Sequence, residues 1–492
     1  MKSSSFKTAY ANSLLLGSAS LINVAMGLVR NKAVAMLLGP SGVGLVGLLQ
    51  TLVSTVSTAF TLGLNQSGTR QVSVSYSSAD AHSLEASVWA LKAAVILLGA
   101  LGGFVVFGLS EHVSTLLFST NKFRTEISIV SIAIFLSIAM VASKAIVNGT
   151  RRVADHARIT VLSGIASTVM SVFVIILLGE KAIPLVVIST PLCMYLIAEA
   201  YVRRAEFRGV RPHSKELMTI WIKLARLGAA VMLSGLVVSG AQLVIRAEIQ
   251  SKLGAVALGM FTAGWIISQN YIGFLYSAIT TDYYPRLSQS IAKNEPIGEL
   301  ISDQTRIGLM ISGPLFVLLA GFAPFLLALL FTAEFEEASR LLRVLVIGDI
   351  LKIVEYPLSF ALLAHGSGRA YLISRMLGSI VFVCVALVLI PMIGAIGAAW
   401  GYLGMHLAYF PVLAFLVHRR IAFRLDKGLV ASALLTFAAV VLILVCAKYS
   451  ERLAMIVAGV VATLMLSLVA KRAGEIPQLA RLLNRVRGIM RP

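Results

Sequence analysis

Apolar segments of about twenty residues follow one another along this chain with only short breaks between them. At about 1.5 Å of rise per residue, such a segment crosses the roughly 30 Å hydrocarbon core of a bilayer. Of the 492 residues, 58% are hydrophobic and 13% are charged, whereas soluble domains carry about a quarter charged residues. Lipid is therefore the principal solvent. Backbone amides in lipid must pair internally, which leaves helices or a closed barrel. The runs are rich in Ala, Leu and Gly and lack the polar and apolar alternation of a membrane barrel. The expected fold class is all-α: a polytopic membrane protein of about fourteen transmembrane helices. The spans fall at 11–38, 43–64, 86–109, 127–148, 159–178, 183–202, 219–250, 256–281, 307–331, 340–363, 371–390, 394–417, 428–447 and 453–470.

The net charge of +20 sorts by membrane side. With the N-terminus inside, the cytoplasmic segments hold 25 Lys and Arg and the outer loops hold six, accompanied by seven outer glutamates. Positively charged loops resist translocation, so this asymmetry fixes the orientation and places both termini in the cytoplasm. It also accounts for most of the excess charge without a nucleic-acid partner. Lys2 and Lys7 precede an apolar stretch that runs far beyond a cleavable signal, and that stretch reads as an uncleaved first span.

The most basic internal loop, RRAEFRGVRPHSK, reads as a connector. It divides an N-lobe of six spans (1–205) from a C-lobe of six spans (219–418), with the connector at 206–218. A weak repeat supports this division. LLGPSGVGLVG (37–47) and KLGAVALGMF (252–261) put a Leu-Gly turn before the second helix of each half, and repeated halves are a common transporter plan. Two extra spans follow at 428–470. The tail, 471–492, contains a basic stretch, Ile476 to Arg491, that can lie on anionic lipid as an amphipathic helix.

Several chemistries lack their residues. Gly42, Gly44 and Gly47 spell GxGxxG, but they open a membrane helix rather than follow a strand, so no dinucleotide site is expected. GxxxxGK[ST] and HExxH are absent and the histidines are scattered, which argues against a phosphate loop or a zinc site. Gly397 and Gly401 form a GxxxG pair suited to close helix packing. Cys193, Cys384 and Cys446 lie in apolar runs and read as packing residues. No catalytic residue, metal or cofactor is expected, and the chain does not read as an enzyme.

Charge at membrane depth carries the functional signal. Lys92, Lys144, Lys223, Arg226 and Arg375 lie near cytoplasmic helix ends and can snorkel, and Arg340 and Arg343 near an outer end receive the same reading. Arg30, Lys32, Arg246 and Lys352 lie deeper. A central charge costs about 2.5–3.5 kcal/mol on insertion scales, so four facing lipid would cost on the order of 10 kcal/mol. They are expected to face a hydrated cavity or to carry counter-ions. Arg30 and Lys32 stand nine and seven residues before Gly39, and Arg246 stands eight before Gly254. Both halves thus place cations at similar depth, and convergent positive charge suits a diphosphate. The alternative for Arg30-Asn31-Lys32 is a short outer loop. In GDILKIVEY (348–356), Asp349, Lys352 and Glu355 follow at intervals of three on one helical face. They are expected to form a salt-paired stripe, read either as mutual neutralisation during folding or as a charge-exchange site for substrate or a proton. Glu248 beside Arg246 poses the same choice.

Four motifs together resemble the Wzx flippases of lipid-linked O-antigen and related repeat units, within the MOP exporter superfamily that includes the MATE transporters. They are KAVAMLLGPSGVGL (Lys32–Leu45), NGTRR (Asn148–Arg152), IRAEI (Ile245–Ile249) and GDILK (Gly348–Lys352). The nearest subtype is the enterobacterial common antigen (lipid III) flippase, and the resemblance covers spans one to twelve. It implies a two-lobed MATE-like bundle in the bacterial inner membrane, alternating access, and coupling to a proton or sodium gradient. The substrate it implies is an undecaprenyl diphosphate-linked glycan, with membrane lipids and other polysaccharide assembly proteins as partners. Lys32, Arg246, Asp349 and Lys352 fall on matching motif positions. Arg30 does not, although the related lipid II flippase carries arginine in a similar place. The expected diphosphate-binding set is Arg30, Lys32, Arg246 and Lys352, with Asp349, Glu355 and Glu248 as coupling or counter-ion groups.

Fourteen spans depart from the common twelve-span Wzx plan and match the lipid II flippase, so lipid II is an alternative substrate. A MATE-like drug or cation antiporter is a second alternative, one that should favour cavity carboxylates over cations. A glycan polymerase or ligase would place reactive groups with a large outer loop, and no outer loop here exceeds about 20 residues. A structural scaffold would tolerate alanine at Lys352, Arg246 and Asp349.

Overall fold

The structure is a computed structural model. It describes residues 2–78, 80–205, 210–293, 295–421, 423 and 426–472, with side chains from residue 15 onward except at 274, 277–282, 284, 285 and 472. Within these residues the chain forms α1 (Lys2–Phe60), α2 (Leu64–Ser77), α3 (Ala81–Gly108), α4 (Ser110–Phe118), α5 (Arg124–Gly149), α6 (Val153–Leu178) and α7 (Ile183–Arg204). It continues with α8 (Ser214–Ala292), α9 (Gly298–Gly321), α10 (Ala323–Leu330), α11 (Ser339–Ala364), α12 (Gly368–Ile393), α13 (Ile396–Ile421), α14 (Lys427–Tyr449) and α15 (Glu451–Arg472). Short 3₁₀ turns before α5, α7 and α11 complete the described elements. The basic amphipathic stretch expected at 476–491 lies outside the described residues.

The two longest helices are each broken once. In α1 the break is at Gly39 (φ 65°, ψ −169°), and in α8 it is at Gly254 (φ 83°, ψ 177°). This backbone region is almost restricted to glycine, because a Cβ would clash with the neighbouring carbonyl. The Leu-Gly repeat seen in the sequence therefore has a physical basis: each copy turns one membrane helix into the next. Among the described residues, ten segments are long and apolar enough to cross a membrane. Three of them, Leu15–Phe60, Val153–Arg204 and Ser214–Gly273, each contain two helices. Helix α11 has the length but carries Arg343, Asp349, Lys352 and Glu355. Counting these gives the fourteen membrane helices that the sequence predicts.

Large apolar side chains point outward along these helices, among them Phe104 (73% exposed), Met392 (72%) and Ile456 (65%). In water such a surface would aggregate; in lipid it is the solvated face. Polar side chains turn inward instead. Ser171 of α6 and Ser189 of α7 meet at 2.7 Å, and Thr168 donates to the Met26 carbonyl of α1 at 3.1 Å.

The chain divides into two compact units, residues 1–259 and 260–492. In the first, α1 packs on α6, α3 on α5, α7 against both α5 and α6, and α2 against α5. In the second, α13 packs on α11 and α12, and α9 packs on α11, α14 and α15. The expected GxxxG contact forms here. A Cβ on Gly401 would stand 2.9 Å from the Cβ of Ala386 on α12, and one on Gly397 would meet the Leu389 backbone at 2.5 Å.

The last two helices are integral to the second unit. Arg343 near the start of α11 is 4% exposed; its Nε donates to the Ala320 carbonyl at the end of α9 at 2.9 Å, and its Nη1 to Glu451 Oε1 at the start of α15 at 3.0 Å. A second guanidinium nitrogen engages Glu451 Oε2. This corrects the snorkelling expected of Arg343. Three helix ends converge there, so the guanidinium finds a carbonyl and a carboxylate without reaching for the membrane surface.

Candidate functional site

The second unit gathers polar side chains from three helices around the GDILKIVEY stretch of α11. The i, i+3 spacing puts Asp349, Lys352 and Glu355 on one side of that helix. Helix α13 contributes Tyr402, His406 and Tyr409 at the same kind of spacing, and α8 contributes Ser268, Gln269, Tyr271 and Tyr276.

Asp349 is fully buried. Its Oδ2 accepts from Ser268 Oγ at 2.7 Å and Tyr271 Oη at 2.8 Å, and its Oδ1 accepts from Tyr402 Oη at 2.8 Å. Three hydroxyl donors satisfy a buried carboxylate by hydrogen bonds alone, with Lys352 near enough to act on its charge. Lys352 turns elsewhere. Its Nζ donates to Gln269 Oε1 at 2.8 Å and lies over the rings of Tyr276 (5.7 Å) and Tyr402 (5.8 Å), within cation–π reach. Gln269 in turn donates to Ser268 Oγ at 3.2 Å, and Tyr276 Oη donates to the Lys352 carbonyl at 3.1 Å.

Glu355 faces a third partner. Its Oε2 lies 2.7 Å from His406 Nδ1, and the two residues are 3% and 1% exposed. Glu355 Oε1 and His406 Nε2 are buried without a hydrogen-bond partner among the described residues. Tyr402 presents its ring edge to His406 with centroids 4.6 Å apart, and Trp265 meets Tyr402 at 5.2 Å. Arg375 of α12 lies over the rings of Tyr371 (5.8 Å) and Tyr409 (5.9 Å), and the Tyr409 hydroxyl meets Ser359 Oγ at 3.0 Å.

The salt-paired stripe expected from sequence is therefore replaced by three separate arrangements. Among the described residues Asp349, Lys352 and Glu355 form no ion pair with one another; hydroxyls, an amide and an imidazole from α8 and α13 take those places. An ammonium carries three donors, and Lys352 directs one of them to Gln269. Asp349 and Glu355 stand near enough to act on its charge, and neither carboxylate takes its hydrogen bond.

In the first unit, Arg30 of α1 is half-buried and hydrogen-bonds through Nη1 to the Thr190 hydroxyl of α7. Lys32 is half-buried on the same helix, which continues through 30–32, so the short-loop alternative is replaced by continuous helix. Arg246 on α8 is 5% exposed, and Glu248 beside it is half-buried, its carbonyl accepting from Ser251 Oγ at 3.1 Å. A further cluster was not anticipated. Glu199 of α7 accepts from Lys92 Nζ of α3 and Ser143 Oγ of α5, both at 2.9 Å, so Lys92 is tethered rather than free to snorkel.

Of the residues missed by sequence reasoning, His406 and Gln269 had one readable sign: each is a polar side chain within an apolar run. Ser268, Tyr271 and Tyr402 had none, because hydroxyls on membrane helices are common and nothing in the sequence aims them at Asp349.

Comparison with known proteins gives the same architecture. The family model described as "Polysaccharide biosynthesis protein" matches residues 9–291. A lipid III flippase of Escherichia coli (strain K12) is 23% identical over 426 residues, covering 83% of this chain and 98% of the relative. Among solved structures, the lipid II flippase MurJ in an inward closed conformation matches with a TM-score of 0.71 at 13% identity, covering 93% of this chain and 99% of that one. A multidrug resistance MATE family transporter of the MOP superfamily, inward-facing, matches with a TM-score of 0.69 at 16% identity, covering 83% of this chain and 98% of that one.

Proposed function

Because this chain belongs to the polysaccharide biosynthesis protein family, we propose that it is a flippase. Its cargo is an oligosaccharide carried on undecaprenyl diphosphate, and it moves that lipid from the cytoplasmic to the periplasmic leaflet of a bacterial inner membrane. The relative named as a lipid III flippase supports a lipid-linked cargo, and the MOP-type fold supports transport by alternating access without covalent chemistry.

The observation that carries the reading is the state of Lys352. It stands at membrane depth, its ammonium held by Gln269 and two aromatic faces, while Asp349, one helical turn away, is already satisfied by three hydroxyls. A charge kept within the bilayer at such cost is expected to serve an anion. The diphosphate supplies one. From their sequence positions, Arg30, Lys32 and Arg246 in the first unit are also assigned to a diphosphate headgroup, while the polyprenyl tail stays in lipid. Asp349, Glu355 and Glu248 are assigned to charge exchange, with a proton or sodium gradient as the driving force. Both termini are placed in the cytoplasm by the distribution of Lys and Arg.

Lipid II is the second candidate cargo, supported by a likeness to the lipid II flippase structure that extends over 93% of this chain. Deleting the gene and identifying which polyprenyl-linked glycan accumulates facing the cytoplasm tests the proposal. A lipid-linked repeat unit is expected; accumulation of lipid II would select the alternative. Retention of cationic drugs with normal surface glycan would overturn both.

A further inference from the structure

The first unit contains a second cationic site, separate from Arg30, Lys32 and Arg246. Helices α2 and α8 come together where Gly63 meets Gly228. A Cβ on Gly228 would stand 1.9 Å from the Leu62 carbonyl oxygen, and Gly63 has φ +70°, so only glycine allows the two backbones to touch there. Beyond that contact the helices leave a cavity of about 610 Å³ between them, within the range of about 300–1,000 Å³ usual for ligand sites.

The lining has two kinds of group. Arg70 of α2 and Lys223 and Arg226 of α8 supply three cations, with Gln71 and Thr219 as neutral donors. On α8, Thr219, Ile222, Lys223, Arg226 and Leu227 fall at i, i+3, i+4, i+7 and i+8, one helical face. Val74, Ile222 and Leu227 are 56%, 54% and 40% exposed. Lipid provides the apolar contact that such side chains lack in water, and the cations are matched by phosphate oxygens. Helix α2, LNQSGTRQVSVSYS, is too polar for the hydrocarbon core and joins α1 to α3 at the membrane boundary. Charge, apolar surface and depth together define an amphiphile with a phosphate head.

We propose that the groove between α2 and α8 binds an anionic membrane phospholipid, its phosphate held by Arg70, Lys223 and Arg226 and its first methylenes lying on Val74, Ile222 and Leu227. The site is distinct from the transported headgroup's, and its test involves no transport, so its failure leaves the proposed function untouched.

The full-length protein is reconstituted in phosphatidylcholine vesicles doped with spin-labelled phosphatidylglycerol, and its relative affinity for the labelled lipid over labelled phosphatidylcholine is read from the motionally restricted signal. A surface cation is worth about five-fold in binding to an anionic membrane. The variant Arg70→Gln/Lys223→Gln/Arg226→Gln should therefore lower selectivity for phosphatidylglycerol at least about five-fold. A control, Arg419→Gln/Arg420→Gln/Lys427→Gln in the second unit, should lower it less than the groove variant does, and Arg70→Lys/Arg226→Lys should retain it. Should the triple variant not elute as a single species, Arg226→Gln alone supplies the reading, with a smaller loss expected. Equal selectivity in the wild type and the groove variants would overturn the proposal, as would an equal loss in the control. A pyrophosphate arm in vesicles of phosphatidylcholine alone separates the sources. Pyrophosphate bound by the wild type and lost from the groove variant would replace the lipid with a soluble phosphate; no such binding supports the lipid.

Discussion

Glu355 Oε2 and His406 Nδ1 lie 2.7 Å apart between α11 and α13, in surroundings that leave both residues almost without solvent exposure. Each partner also holds a buried polar atom that no described group satisfies, Glu355 Oε1 and His406 Nε2. A hydrogen bond of this kind is worth more than its length suggests, because removing one member leaves the other desolvated and alone.

The first prediction follows from that relationship. Glu355→Ala and His406→Ala should each destabilise the protein by about 1–3 kcal/mol, the cost of leaving a buried hydrogen-bonding group without its partner. Glu355→Gln combined with His406→Gln should cost less than the sum of its single variants, giving a coupling of about 0.5–3 kcal/mol. Thermal unfolding of the four purified proteins closes the cycle.

The hydroxyl cradle of Asp349 makes a second. Tyr402→Phe removes the donor to Oδ1, and Tyr271→Phe removes one of two donors to Oδ2. A hydrogen bond to a charged group contributes about 1.5–3 kcal/mol. Tyr402→Phe is expected to cost more than Tyr271→Phe, because Ser268 still serves Oδ2 in the second case. Melting temperatures in detergent rank the two, and the reverse order would contradict the geometry.

The clasp of Arg343 and Glu451 makes a third. Arg343 is buried and also bonds the Ala320 carbonyl, whereas the Glu451 side chain is 47% exposed. Arg343→Ala should lower the melting temperature, and so should Glu451→Ala, which leaves the buried guanidinium with the Ala320 carbonyl alone. Limited proteolysis between α13 and α14 should quicken in Arg343→Ala if the clasp seats α15.

The glycine breaks make a fourth. A side chain at Gly254 has open space, but its φ of +83° does not suit an L-residue. Gly254→Ala should thus act through the backbone alone, costing about 1–3 kcal/mol. Gly228→Ala meets the Leu62 carbonyl instead and should cost more. Yields of monodisperse protein and unfolding temperatures compare them.

Much of the fold was legible because membrane helices announce themselves by length and hydropathy, and because the same Leu-Gly signal marks both breaks. Helix α11 was legible as a span and as a polar one. Its partners were not. The i, i+3 spacing of Asp349 and Lys352 suggested an ion pair, since within one helix no other partner is visible. The hydroxyls of Ser268, Tyr271 and Tyr402 arrive from helices tens of residues away, and tertiary packing gives Asp349 three short bonds in place of one long contact. Arg343 was misread for the same reason: its partners, Ala320 and Glu451, lie on other helices. His406 escaped notice because a lone histidine in an apolar run carries no spacing signal.

The central claim is that cations embedded in the membrane helices receive an anionic lipid headgroup. The direct measurement is the surface display of the glycan in a deletion strain complemented with Lys352→Ala or Arg246→Ala, each checked for normal membrane insertion. Both variants are expected to lose most of the surface glycan while the lipid-linked precursor accumulates. Full glycan display by both, at wild-type expression, would contradict the account.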